Sequence, residues 1–491
     1  EEPFRDLSCP DNGAPNFPVR ILVALSTLKE LLSLRDVDLI DAFHFNALFH
    51  DALGLAAGEL SLSQRTLYNF RSRVAATQAA CAVFEEVTDA IVEAAQLCPS
   101  FQRIDATQIP SNMANLSRLG LFVRTIEGFL KVVRRKFPEH LAAVPEELRQ
   151  RYLDRSGYFC DPRGADSRRS LEQAARDLAE LLRRFEGQGP VGQSKAYGLL
   201  ARLFAEQCRL EDAGALEPVV VLREPQQICS GSLQNPSDPD ATYNAHKGKG
   251  YKVQIAETCT AENPFQVLTE VELQAANEGD QSTLVRILDH TAARGCGPDT
   301  VVADTHYGGA DNILAAAERG VDLLAPTPGT ADPDDLTLMD FALEGTAPTV
   351  QRCPEGHAPV KRRALPKRQG ETLWFDRATC QACELCASCP AGKNRGRLAV
   401  TDKGLLIDWN RARQLTEEFQ NAYRARSGIE ATNSELKRAH GLGRVWSRGW
   451  DRVELAVLFK ALACNIKRFA RWRCAQGPKL PAPAWEMAAV A

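Results

Sequence analysis

Between residues 249 and 326 the hydrophobic pattern switches repeatedly between a two-residue and a helical period, and that alternation narrows the fold most. GYKVQIAETC and PFQVLTEVEL flank a Glu262-Asn263-Pro264 turn and predict an antiparallel hairpin. DQSTLVRILDHTAARG predicts an amphipathic helix stopped at Gly295, and TVVAD a buried strand running into the loop THYGGADN. Helix ILAAAERG and strand VDLLAP follow. Upstream, FQRIDATQIP alternates so that Phe101, Arg103, Asp105 and Thr107 share one strand face. Strand, hairpin, helix, strand, helix, strand is the order of an α/β core. Two stretches interrupt it: 112–225, which reads as charged helices, and 327–400, which carries cysteines.

Near the C-terminus, YRARSGIEATNSELK places Arg426, Glu430 and Lys437 at offsets of 3, 7 and 14 residues from Tyr423. At about 100° per residue these side chains fall within about 60° of one another on a helix predicted over about 411–440. That face presents an aromatic ring, two cations and one carboxylate, a set suited to phosphates around a metal-binding acid. Glu435 points away from it. The last helix, VELAVLFKALACNIKRFARWR, has an apolar stripe expected to pack under the core, leaving Lys467, Arg468, Arg471 and Arg473 for a polyanion.

The net charge of −4 argues against a uniformly basic nucleic-acid binder, but the distribution does not. Residues 361–475 hold 24 Lys+Arg against 11 Asp+Glu, a net of +13, which leaves −17 for the rest. Segregation of this kind points to a polyanion docking on the C-terminal third. No run of 18 apolar residues predicts a membrane span, and EEPFRDLSCPDNG is not a signal peptide; a cytoplasmic, nucleoid-associated protein is expected. The missing initiator Met is expected to reflect trimming or an incomplete start. In the N-terminal part, residues 18–58 read as short amphipathic helices. SLSQRTLYNFRSRV then offers Ser63 as N-cap, Leu67 and Phe70 inward, and Arg65, Arg71 and Arg73 outward. That pattern suits a helix-turn-helix-like DNA reader and a dimerisation domain equally.

Fifteen cysteines, an odd and mostly scattered number, suggest reduced thiols plus one metal cluster. The cluster is Cys353 in CPEGH and Cys380, Cys383, Cys386 and Cys389 in CQACELCASCP. One distant ligand plus a compact knuckle closes a tetrahedron, so Cys353, Cys380, Cys383 and Cys389 are the expected zinc ligands, with Cys386 and His357 as alternatives. The run C-x2-C-x2-C-x2-C-P also approaches an iron–sulfur motif, but the ferredoxin pattern has three residues before its last cysteine.

The spacing Y-x2-R-x3-E-x6-K resembles the signature helix of DDE transposases of bacterial insertion sequences. IDATQI and ADTHYGG resemble that family's two aspartate segments, GKGYKVQIAET fits its second and third strands, and the cysteine pattern resembles one often seen in its insertion. The resemblance runs from about 18 to 473 and is weakest over 112–225. It implies a ribonuclease H-like core from 96–111 and 226–326, with the helical insertion 112–225 and a zinc-binding insertion 327–400. Residues 1–95 would be an N-terminal helical domain, and 401–491 would complete the core. It further implies a catalytic triad of Asp105, Asp304 and Glu430 holding two Mg²⁺ (or Mn²⁺) ions. The partners implied are double-stranded DNA, both terminal inverted repeats and target, and a second copy of the chain in the DNA complex. Tyr423, Arg426 and Lys437 would contact phosphates, with Lys247, Lys249 and Lys252 gripping the same backbone. Arg438, Arg444 and Arg448 extend the DNA surface; Trp446 and Trp450 would either stack on an unpaired base or cap the core. Two other readings share these residues: a non-catalytic DNA-binding regulator, and a nuclease without strand transfer.

Overall fold

The computed structural model describes residues 4, 17–56, 58–154, 165–211, 219–329, 332, 334–345 and 348–477. Its central sheet contains β1 (Phe101–Pro110), β2 (Thr242–Asn244), β3 (Gly248–Thr258), β4 (Leu268–Ala275), β5 (Thr300–Val302) and β6 (Asp322–Leu324). β1 lies in the middle, antiparallel to β3 from Gln102 opposite Thr258 to Pro110 opposite Gly250, and parallel to β5 on its other side. β6 continues the parallel half. The outer edge of β3 takes β2 at its start and β4 along the rest, both antiparallel.

β3 is buried over its last nine residues, as a strand covered on both faces should be. On one face Ile104, Ala256, Val301 and Tyr307 pack with the helices Leu284–Ala293 and Ala310–Ala317. Gly295, at φ 72°, takes the left-handed conformation just past the first of them. On the other face Ile109, Tyr251, Val253 and Ile255 meet Leu458 and Leu462 of the long C-terminal helix Trp450–Gln476. Leu25, Leu39, Leu67 and Phe84 of the N-terminal helices join that same cluster. These helices therefore share the central sheet's core. Ser63 caps Gln64–Val74, accepting from the Thr66 amide at 3.1 Å, and Arg71 is paired with Asp36.

The first insertion has its own core, with Phe122, Phe129, Leu178, Leu181 and Leu200 fully buried. It ends in a hairpin, Cys208–Glu211 against Val219–Leu222, where helix alone was expected; the β-branched run VVVL favours the extended chain. The second builds a three-stranded sheet, Lys361–Ala364, Gly370–Trp374 and Arg397–Thr401, around Leu373, Phe375, Leu398 and Val400.

The expected single helix over 411–440 is instead a series of segments. Asp402–Arg413 ends, Thr416 caps Glu417–Tyr423, a 3-10 turn runs Arg424–Ser427, and Gly428–Arg438 resumes the α-helix. The 3-10 turn is tied to β1: Arg103 donates from Nη1 to the Ala425 carbonyl at 3.0 Å, alongside the Gly428 amide, which donates to the same oxygen. A Cβ at Gly428 would lie 1.8 Å from Arg103 Nη1, so glycine admits the guanidinium. Among the described residues no helix is long and apolar enough to cross a membrane.

Candidate active site and cysteine cavity

β1, the loop after β5 and the Gly428–Arg438 helix supply Asp105, Asp304 and Glu430. Asp105 accepts from Asn433 Nδ2 at 3.0 Å. Asp304 caps the turn Thr305–Tyr307, accepting from the His306 amide at 2.9 Å, with His306 Nδ1 at 3.2 Å. The Arg426 guanidinium sits between the other two acids, 3.8 Å from Asp105 and 4.0 Å from Glu430. The side chains of Asp105 and Asp304 are only 14% and 23% exposed, whereas that of Glu430 is 74% exposed. Two acids are sunk into the frame and the third stands at its rim.

Burial pushes the Asp105 carboxyl above its usual range; Arg426 and Lys247 oppose this, and the neighbouring Asp304 charge adds to it. Tyr423 is also raised, by burial first and then by both aspartates, against Arg426. Lys437 is lowered by burial and by Lys247, with Asp105 holding it up. Tyr423, Arg426, Lys437 and Lys247 thus all act on, or feel, Asp105. Arg426 Nε and Asn433 Oδ1 are buried there without a hydrogen-bond partner.

The donors are carboxylate oxygens, which suit a hard divalent cation. Their atoms are not drawn together: among the described residues, the triads whose ligand atoms all lie within 4.8 Å are Glu435–His440–Cys464, Glu85–Glu270–His290 and Asp280–Asp304–His306. Asp280, His306 and Asn433 were missed in the sequence. His306 lies two residues beyond Asp304, and Asn433 one helical turn beyond Glu430, so both had a local signal; Asp280 had none.

Several cations have other employment. Lys252 is only 4% exposed and ion-paired with Asp280, so it does not grip DNA. Arg468 is half-buried and paired with Glu257 and Glu435, and Lys467 pairs with Glu435 at 3.3 Å, which removes both from the expected free set. Arg471 and Arg473 remain exposed. Trp450 packs edge-on against Tyr251 at 6.0 Å in the core, whereas Trp446 is 67% exposed with the Arg444 guanidinium 4.1 Å above its ring. Lys247, Arg438, Arg444 and Arg448 are exposed; Lys249 reaches the Leu116 carbonyl at 3.4 Å and Arg448 the Asn112 carbonyl at 2.5 Å.

In the second insertion Cys353, Cys380, Cys383, Cys386 and Cys389 line one cavity of about 210 Å³, together with His357. All five are free thiols. Asp376 caps the helix Arg377–Ala382 that presents Cys380, accepting from the Thr379 amide at 2.9 Å. Burial raises the Cys380 thiol, and Cys389, Cys353, Cys383 and Cys386 add to it. Sulfur donors suit zinc, although among the described residues no three of these thiols lie within 4.8 Å of one another.

Two family models match the chain: a transposase DDE domain over residues 352–470 and a transposase domain (DUF772) over residues 1–73. Neither the curated proteins nor the solved structures contain a match. DDE domains work with divalent metal ions, in keeping with the donors in the cleft. The first model spans the five clustered cysteines, Glu430 and most of the C-terminal helix, the second the helices packed against it, and together these matches support a DDE transposase of an insertion sequence.

Proposed function

We propose that this transposase binds the terminal inverted repeats of its element as a dimer and cleaves and joins DNA at the cleft formed by Asp105, Asp304 and Glu430. The observation that carries the reading is Arg426 lying between Asp105 and Glu430, with Tyr423, Lys437 and Lys247 all coupled to Asp105. The sheet order supports a ribonuclease H-like core: a middle strand with an antiparallel hairpin on one side and two parallel strands on the other. The protein would work in the cytoplasm, on nucleoid DNA.

The three carboxylates would hold two Mg²⁺ (or Mn²⁺) ions, which when bound activate an attacking water or 3′-hydroxyl and stabilise the leaving oxygen. The chain's own residues do the rest. Asn433 orients the Asp105 carboxylate, and the His306 amide that of Asp304. Arg426 offsets the charge between Asp105 and Glu430 and, with Tyr423, Lys437 and Lys247, is placed to fix the phosphate beside the scissile bond. Lys249, Arg438, Arg444, Trp446 and Arg448 would carry the duplex on the rim. Cys353, Cys380, Cys383 and Cys389 would hold one structural zinc.

The test uses a plasmid bearing the DNA that flanks the coding sequence. Mg²⁺-dependent nicking at the element's ends, and joining of a pre-cut 3′-hydroxyl end, are expected. Nicking without joining would leave a nuclease, and end binding without nicking a regulator.

A further inference from the structure

We propose that Glu257 is a positioning residue that sets the rotation and depth of the helix carrying Glu430, acting through Arg103, Thr432 and Arg468. This rests on the reading of Asp105, Asp304 and Glu430 as metal ligands.

Glu257 lies near the end of β3 and its side chain is fully buried. It accepts from Arg103 at 2.6 Å, from Arg468 at 2.6 Å and from the Thr432 hydroxyl at 2.6 Å. These partners come from three elements: β1, the C-terminal helix and the Gly428–Arg438 helix. Arg103 is the register partner of Glu257 across the sheet and also holds the Ala425 carbonyl at 3.0 Å. Arg468 further reaches Thr432 at 2.9 Å, Glu435 at 3.0 Å and the Gln266 carbonyl at 3.0 Å. Burial disfavours the Arg468 charge, but Glu257, Cys464 and Glu435 outweigh it and hold the guanidinium above its ordinary value.

The segment bearing Arg426 and Glu430 is therefore gripped on both sides: at Ala425 before it, and at Thr432 and Glu435 after it. Two guanidinium groups and Lys467 face the two carboxylates Glu257 and Glu435, and each partner of Glu257 is directional. Apolar packing would tolerate a slide or a rotation of the helix; this network does not, because either motion leaves a buried charge unpaired. Arg103 and Asp105 also stand two residues apart on one face of β1, so one strand both anchors the helix and carries the facing ligand. Gly428 belongs to the same device, since any side chain there meets the Arg103 guanidinium.

The test is Mn²⁺ binding to the full chain without DNA, followed by electron paramagnetic resonance; Mn²⁺ favours oxygen ligands over thiolates. Glu257→Gln should weaken Mn²⁺ about ten-fold, the effect typical of a group that orients a metal ligand, and Thr432→Val about three-fold. Amide exchange over residues 424–436 should quicken in both, with the far-ultraviolet circular dichroism spectrum unchanged. Asp105→Ala should abolish binding; Mn²⁺ affinity undiminished in that variant would overturn the triad reading beneath the proposal. Loss in Asp105→Ala with wild-type affinity in both Glu257→Gln and Thr432→Val would overturn the proposal itself. Should Glu257→Gln not fold, Thr432→Val, which deletes one hydroxyl, decides the matter.

Discussion

The carboxylate cleft and the cysteine cavity are built on opposite plans. The cleft gathers Asp105, Asp304, Arg426 and Glu430 from distant parts of the chain, and its frame is completed by protein groups: Asn433, the His306 amide and the Glu257 network. The cavity draws all its sulfurs from residues 353–389 and rests on a small core of its own. In one region the protein holds the ligands and an ion would add chemistry. In the other the thiols line a cavity walled by a small apolar cluster, and an ion would add structure. Metal loss should therefore silence the first and loosen the second.

The largest effect should come from the cleft. Asp105→Ala, Asp304→Ala and Glu430→Ala should each lower Mg²⁺-dependent cleavage by about a thousand-fold or more, the scale of several kcal/mol of lost charge stabilisation. Binding to the end DNA, measured by gel shift, should change little. Normal cleavage by Glu430→Ala together with loss in Glu435→Ala would move the active face of the helix. That outcome conflicts with Glu435 being paired to Lys467 and Arg468.

The cavity should respond to chelation by opening. Elemental analysis should find one zinc per chain, and its removal should raise amide exchange over 350–400 before the central sheet is affected, since thiolate–zinc bonding supplies folding free energy. Cys383→Ser should lose the metal and Cys386→Ser retain it. Iron with labile sulfide, or no metal, would defeat the zinc assignment and with it this side of the contrast.

A smaller effect concerns the rim of the cleft. The +13 of residues 361–475 invites deletion as a test, yet the helix Trp450–Gln476 lies in the main core, so truncation would unfold the protein rather than report on DNA. Arg438→Ala and Arg444→Ala leave the core intact. Each should weaken DNA binding across sequences and lower the slope of log affinity against log salt by about one.

The smallest effect lies outside both regions and serves as their reference. Burial raises Glu270 on β4 to about 7, against the opposing charges of Arg294 and His290. Its unfolded value is near 4.5. Between these values the folded chain keeps a proton that the unfolded chain has released, so this group's contribution to stability falls as pH rises from about 4.5 to 7. The full change is at most about 3 kcal/mol. Glu270→Gln should flatten that part of the pH–stability curve while leaving cleavage and zinc content alone.

Much of the local frame was legible. The hairpin of β3 and β4, the helix that stops at Gly295, the strand running into Asp304 and the Ser63 cap all follow from short-range periodicity and backbone preference. The cysteine cavity was legible for the same reason, its thiols being close in sequence. What could not be read was which cations are free. Lys252 and Arg468 look like any other basic residue until Asp280, Glu257 and Glu435 are brought beside them. Likewise, Trp446 and Trp450 differ by four positions, yet one is exposed and the other packs on Tyr251.

The sequence by itself determined most of the strands and helices of the central sheet and the closeness of the thiols along the chain, because these depend on neighbours in sequence. Tertiary structure decided where the helix before Glu430 breaks, which charges are buried in pairs, and that the N-terminal helices share the sheet's core. Each of those outcomes turns on a contact between residues far apart in sequence. Arg103 reaching Ala425 is the plainest case: a hydrogen bond between residues 322 apart in sequence ties the 3-10 turn before Glu430 to β1.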